Sequence, residues 1–125
     1  MRRTIAEGGE SLPALRDLSV SLNKVGDIAQ ARGRLDAARA AYKESLALRR
    51  RTVAEGGESL QALDDLLHAL TRNRELEVAV GNITTAESYN REIRPLLARL
   101  RLLAPHEGER ERLARIEEQL NGVAS

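Results

Sequence analysis

The stretch "RRTIAEGGESL", Arg2 to Leu12, returns as "RRTVAEGGESL", Arg50 to Leu60, forty-eight positions later with one conservative change. At that offset Leu12 also pairs with Leu60, Ala14 with Ala62, Leu15 with Leu63, Asp17 with Asp65, Leu18 with Leu66 and Leu22 with Leu70. Self-similarity at a fixed period marks a stacked repeat, each copy being one supersecondary unit. In the first copy Leu12, Leu15, Leu18, Leu22, Val25 and Ala29 recur at steps of three or four, which predicts a helix with this stripe inward, from near Ser11 to near Arg32. Ser11 suits the N-cap, Pro13 is tolerated in the first turn, and Gly33 ends the helix by adopting a left-handed conformation. A second stripe, Leu35, Ala38, Tyr42, Ser45, Leu46 and Arg49, predicts a partner helix running out at Glu55 to Gly57. The unit is a helix hairpin. The second copy repeats it from Ser59 to about Val80, through a turn at Gly81, then from Thr84 to Leu103. Pro105 stops that helix, and Leu113, Ile116 and Leu120 mark a final amphipathic helix ending at Asn121-Gly122.

Composition agrees with an all-α chain of about five helices. Ala, Leu, Arg and Glu dominate, while Phe, Trp and Cys are absent and Tyr42 and Tyr89 are the only aromatic residues. Charged residues make up 31% of the chain but nearly cancel, to a net +1, so there is no electrostatic footprint for nucleic acid or an anionic membrane. Without Cys there is no disulfide or thiolate chemistry, which fits a reducing compartment. No apolar run follows Met1-Arg2-Arg3 as in a signal peptide, and none approaches membrane-spanning length. The expectation is a cytoplasmic protein forming a single domain over 1–125, with a repeat tail at 1–10, repeats at 11–54 and 59–103, and a capping helix at 107–121.

The stretch "LNKVGDIAQARGRLDAARAAYKESLAL" resembles a tetratricopeptide repeat. Leu22, Val25-Gly26, Ala29, Gly33, Ala38, Tyr42 and Ser45 occupy in order the apolar, apolar-Gly, small, Gly, Ala, aromatic and small steps of that pattern. The longer helices and the linker "SLALRRRTVAEGGES" look like the extended bacterial, kinesin-light-chain variety. The second copy departs from the pattern. Asn73-Arg74 stand for Val25-Gly26, Glu77 for Ala29 and Asn90 for Tyr42, so its hairpin is expected to pack less tightly or to use Leu76, Val80, Tyr89 and Ile93 in a shifted register. Because Arg50 to Val53 end a helix, Arg2 to Ile5 read as the tail of a preceding helix whose body is absent. The first repeat would then be unsealed, as in a piece of a longer array or a truncated one.

The resemblance implies a helical-repeat solenoid binding a protein or peptide partner along the first helix of each hairpin. Arg16, Val20, Asn23, Asp27 and Gln30 then line that face with their equivalents Asp64, His68, Thr71, Glu75 and Val78, flanked by Lys24 and Arg72. The plainer alternative is a solvated helix face. The carboxylate-clamping specificity of some relatives is not carried over, since Asp27 and Glu75 put the wrong sign there. Such bacterial repeats resemble recruiting or sensing parts of larger signalling and defence proteins. A second reading is a self-assembly element forming a homodimer through Leu12, Leu15 and Leu18 of the uncapped hairpin.

The remaining residues do not point to an enzyme. His68 has only Asp64 at a helical spacing fit for a shared metal, and His106 beside Glu107 reads as a helix-start residue. Ser11 and Ser59 follow "GGE" without the glycine pattern of a nucleophile elbow, and "EGGES" lacks the Lys and Ser/Thr of a phosphate loop. The run Arg49 to Arg51 sits among Glu44, Glu55 and Glu58 and reads as a charged helix end. No cofactor or metal is called for.

Overall fold

The computed structural model describes residues 11–103 and 106–124, so the readings of Arg2 to Ile5 and of Pro105 lie outside the described residues. The described chain is all-α. Its helices are α1 (Leu12–Ala31), α2 (Leu35–Gly56), α3 (Leu60–Ala79), α4 (Ile83–Leu103) and α5 (Glu107–Ala124), with no strand among the described residues. They form two compact units, Met1–Glu58 and Ser59–Ser125, divided where the second copy of the repeat begins.

Both copies start and turn by the same chemistry. The Ser11 hydroxyl accepts from the Ala14 amide at 3.2 Å, and the Ser59 hydroxyl from the Ala62 amide at 3.0 Å, each satisfying one donor that a helix start leaves open. Gly33 and Gly81 take positive φ, 76° and 86°, where each hairpin reverses. No helix among the described residues is long and apolar enough to cross a membrane.

The first unit is the hairpin of α1 against α2, and close approach governs its interface. A Cβ at Gly26 would lie 2.6 Å from Tyr42 Cδ1, so only glycine leaves room for the ring. At the far end a Cβ at Gly56 would lie 2.6 Å from Leu12 Cδ1, which brings the end of α2 against the start of α1. Between them the Ser45 hydroxyl donates to the Ser19 carbonyl at 3.0 Å and Arg49 Nε to the Ser19 hydroxyl at 2.7 Å. These bonds hold polar side chains in the interior without leaving the serines unpaired.

The buried face of α1 therefore keeps Leu15 and Ala29 of the expected stripe, with Leu12 and Leu22 half-buried, and turns Leu18 and Val25 outward. Leu15, Ser19, Asn23, Gly26 and Ala29 are buried, whereas Leu18 is 47% and Val25 53% exposed. The helix is rotated because small residues, not large apolar ones, permit α2 to come close. On α2 the expected stripe holds for Ala38, Tyr42, Ser45, Leu46 and Arg49, joined by Ala41, while Leu35 is 38% exposed.

The second unit packs α4 on α3 and α5 on α4. The positions equivalent to Gly26, Ala29 and Tyr42 are Arg74, Glu77 and Asn90, and all three remain buried. The large side chain has moved from the second helix of the hairpin to the first. Leu76 and Ile93 are buried and Val80 and Tyr89 half-buried. Glu77 accepts from the Asn82 amide at 2.8 Å, closing the turn. Helix α5 seals this unit with Leu113 and Leu120, both buried, and with Ile116 half-buried. It runs through Asn121-Gly122 to Ala124, past its expected end, since a single glycine weakens a helix without terminating it.

Gly26→Ala should lower the stability of the first hairpin by about 1–2 kcal/mol, because overpacking outweighs the better helix propensity of alanine. In a Tyr42→Leu background the same substitution should become stabilising. Urea unfolding of the four proteins checks the reversal of sign.

Candidate functional site

Three of the residues expected on the partner-binding side of α1 share an exposed face, namely Arg16, Lys24 and Asp27, with Val20 half-buried beside them. Tyr42 organises that face from beneath. Its ring is buried, and its hydroxyl donates to Asp27 Oδ1 at 2.6 Å and lies 3.1 Å from Gln30 Oε1. A hydroxyl has one proton, which the shorter contact with the carboxylate takes. Asp27 thus presents its charge from a fixed position, and Gln30 is half-buried at its side.

Asn23 does not belong to this face. It is 5% exposed, and its Oδ1 has no hydrogen-bond partner. The expectation placed it outward because the buried stripe was centred on Leu22, Val25 and Ala29, of which Ala29 is buried, Leu22 half-buried and Val25 exposed. With the helix rotated, Asn23 falls inside. The same rotation decides the self-association residues. Leu15 is 3% exposed on the side of Ser19 and Gly26, and Leu12 is half-buried against Gly56, so of the three only Leu18 is available at the surface.

In the second unit His68 and Glu75 are exposed, Thr71 and Arg72 half-buried, and the Thr71 hydroxyl donates to the His68 carbonyl at 3.0 Å. Asp64 is already engaged. Arg112 of α5 donates to its Oδ1 at 2.7 Å and to Glu109 at 3.2 Å. Burial works against the charged form of Arg112, but the hydrogen bonds of Glu109 and Asp64 outweigh it and hold the guanidinium above its ordinary pKa. Arg112 therefore clips the start of α5 to α3. Beside this clip Leu60, Gln61, Asp64, His106 and Glu109 line an open cleft of about 440 Å³. Its two carboxylates are turned to Arg112, and His106 is exposed just ahead of α5. Among the described residues no group of three or more His, Cys, Asp or Glu side chains is placed to hold a metal ion.

The end of α5 is held by cations as well. Arg74 Nη2 donates to the Gln119 carbonyl at 3.1 Å and Arg94 Nη2 to Asn121 Oδ1 at 3.4 Å, while Arg101 and Glu117 form an ion pair. Burial lowers the pKa of Arg74, the Glu75 carboxylate opposing and Arg94 adding to the effect. Sequence reasoning missed Arg74, Arg94, Arg101 and Arg112 as the fasteners of α5. Their partners lie far along the chain, and no local pattern announces them.

No protein-family model, curated protein or solved structure matches the chain.

Arg112→Gln should lower the stability of the second unit by about 1 kcal/mol, as for a partly buried ion pair. Hydrogen exchange should then rise selectively in the first turns of α5 and leave α1 and α2 unchanged.

Proposed function

We propose that this chain is a non-catalytic protein-interaction module of tetratricopeptide type. Each hairpin offers the outward side of its first helix to a protein or peptide partner. The observation that carries the reading is that two hairpins in one forty-eight-residue register leave polar and charged side chains of α1 and α3 exposed, Arg16, Lys24 and Asp27 in one and His68 and Glu75 in the other. The tetratricopeptide part rests on the sequence pattern alone. A partner suited to these faces is an extended polar segment that pairs with both signs of charge, with Asp27 steadied by the Tyr42 hydroxyl and Arg16 as the cationic contact. With no Trp or Phe to act as anchors, affinity is expected to be modest.

Selection of binders from a random-peptide library on the full chain, followed by fluorescence anisotropy, tests this reading. A selected peptide should weaken about tenfold with Arg16→Glu when it binds the α1 face, or with Glu75→Lys when it binds the α3 face, the melting midpoint being unchanged. Peptides indifferent to both substitutions, or no selected peptide at all, would contradict it.

A further inference from the structure

The rotation of α1 leaves an apolar line on its surface that the hairpin does not use. Leu18, Val25 and Ile28 are 47%, 53% and 54% exposed, and Ala14 and Ser21 are exposed between and beside them. The positions 14, 18, 21, 25 and 28 advance by four, three, four and three residues, the spacing of a two-stranded helical seam. The repeat buries this line in its other copy, where Leu66 is half-buried and Asn73 and Leu76 are 2% and 1% exposed.

The pattern is symmetric about Ser21 to within one residue, Ala14 and Ile28 standing seven positions to either side and Leu18 and Val25 three and four, and its charges identify the occupant. An antiparallel copy of α1, related by a two-fold axis at the level of Ser21, sets Leu18 against Val25 and Ala14 against Ile28, with the small Ser21 side chains at the centre. On one flank of the seam stand Asp17 and Lys24, both exposed and two helical turns apart, and neither pairs with another described residue. The same axis brings Asp17 of each copy opposite Lys24 of the other, within about one residue's rise (~1.5 Å). Two ion pairs of opposite sense form at once, which a parallel arrangement or an unrelated apolar surface does not provide.

We propose that the Leu18–Val25–Ile28 face of α1 binds a second copy of this chain as an antiparallel, two-fold symmetric helix pair, with reciprocal Asp17–Lys24 contacts. This pairing shares Lys24 with the peptide-binding face, whereas Arg16 and Asp27 lie on the other side of α1 and Leu18, Val25 and Ile28 belong to the helix pair alone. It replaces Leu12 and Leu15 with side chains that are available at the surface.

Light scattering behind a sizing column, on the full chain from about 1 to about 500 µM, tests the proposal. The unmodified protein should pass from monomer to dimer within that range. Val25→Glu and, separately, Leu18→Ser should stay monomeric with unchanged helicity, as expected for substitutions at half-exposed positions. Asp17→Lys should weaken the dimer about tenfold, and the exchange Asp17→Lys with Lys24→Asp should restore it. A monomer at every concentration would overturn the proposal. So would a dimer insensitive to Val25→Glu and Leu18→Ser, or one that the charge exchange fails to restore.

Discussion

The contact between the flat ring of Tyr42 and the bare backbone of Gly26 sets the geometry of the first hairpin. Because the ring occupies the place of a side chain on α1, α1 and α2 approach more closely than two leucine-lined helices would. That closeness selects what else sits inside. Ser19 and Ser45 fit where larger residues would not, and their hydrogen bonds with each other and with Arg49 satisfy the polar groups that come with them. It also fixes the rotation of α1, and with it the side chains presented to solvent. The Tyr42 hydroxyl carries the effect to the surface by holding Asp27.

The second hairpin keeps the positions and exchanges the occupants. Arg74 and Asn90 stand where Gly26 and Tyr42 stand in the first, and both are buried. The exchange has a polar cost. Arg74 Nε and both polar atoms of the Asn90 amide have no hydrogen-bond partner, and a buried unpaired polar group costs about 1–3 kcal/mol. Part of this is offset by α5, whose Gln119 carbonyl accepts from Arg74 and whose Leu113 and Leu120 are buried. The degeneracy of the second copy and the presence of a fastened fifth helix are thus linked through one residue.

Much of the fold was legible in the sequence because its signals are local. The two "GGES" stretches located the N-caps at Ser11 and Ser59, and Gly33 and Gly81 located the turns, so the limits of the four hairpin helices agree to within a residue or two. The phase of α1 was not legible. Leucine, valine and isoleucine stand on several sides of that helix, and the stripe read from the sequence ran through Leu15, Leu18, Val25 and Ala29 together, of which Leu15 and Ala29 are buried and Leu18 and Val25 exposed. What decides between them is a glycine, a serine and a buried arginine, and apolar periodicity gives no weight to those residues. Asn23 was misplaced for the same reason. The Arg112 clip on Asp64 was invisible because it joins residues forty-eight positions apart.

The first hairpin depends on Gly26 meeting the face of Tyr42. Proton NMR of the full chain tests that directly, through the chemical shifts of the Gly26 α-protons and their nuclear Overhauser contacts with the Tyr42 ring. The structure predicts strong contacts to the ring protons and α-proton resonances displaced from their usual position by the ring current. Ordinary shifts for Gly26 without contacts to Tyr42 would contradict the packing on which the hairpin, the phase of α1 and both of its surfaces depend.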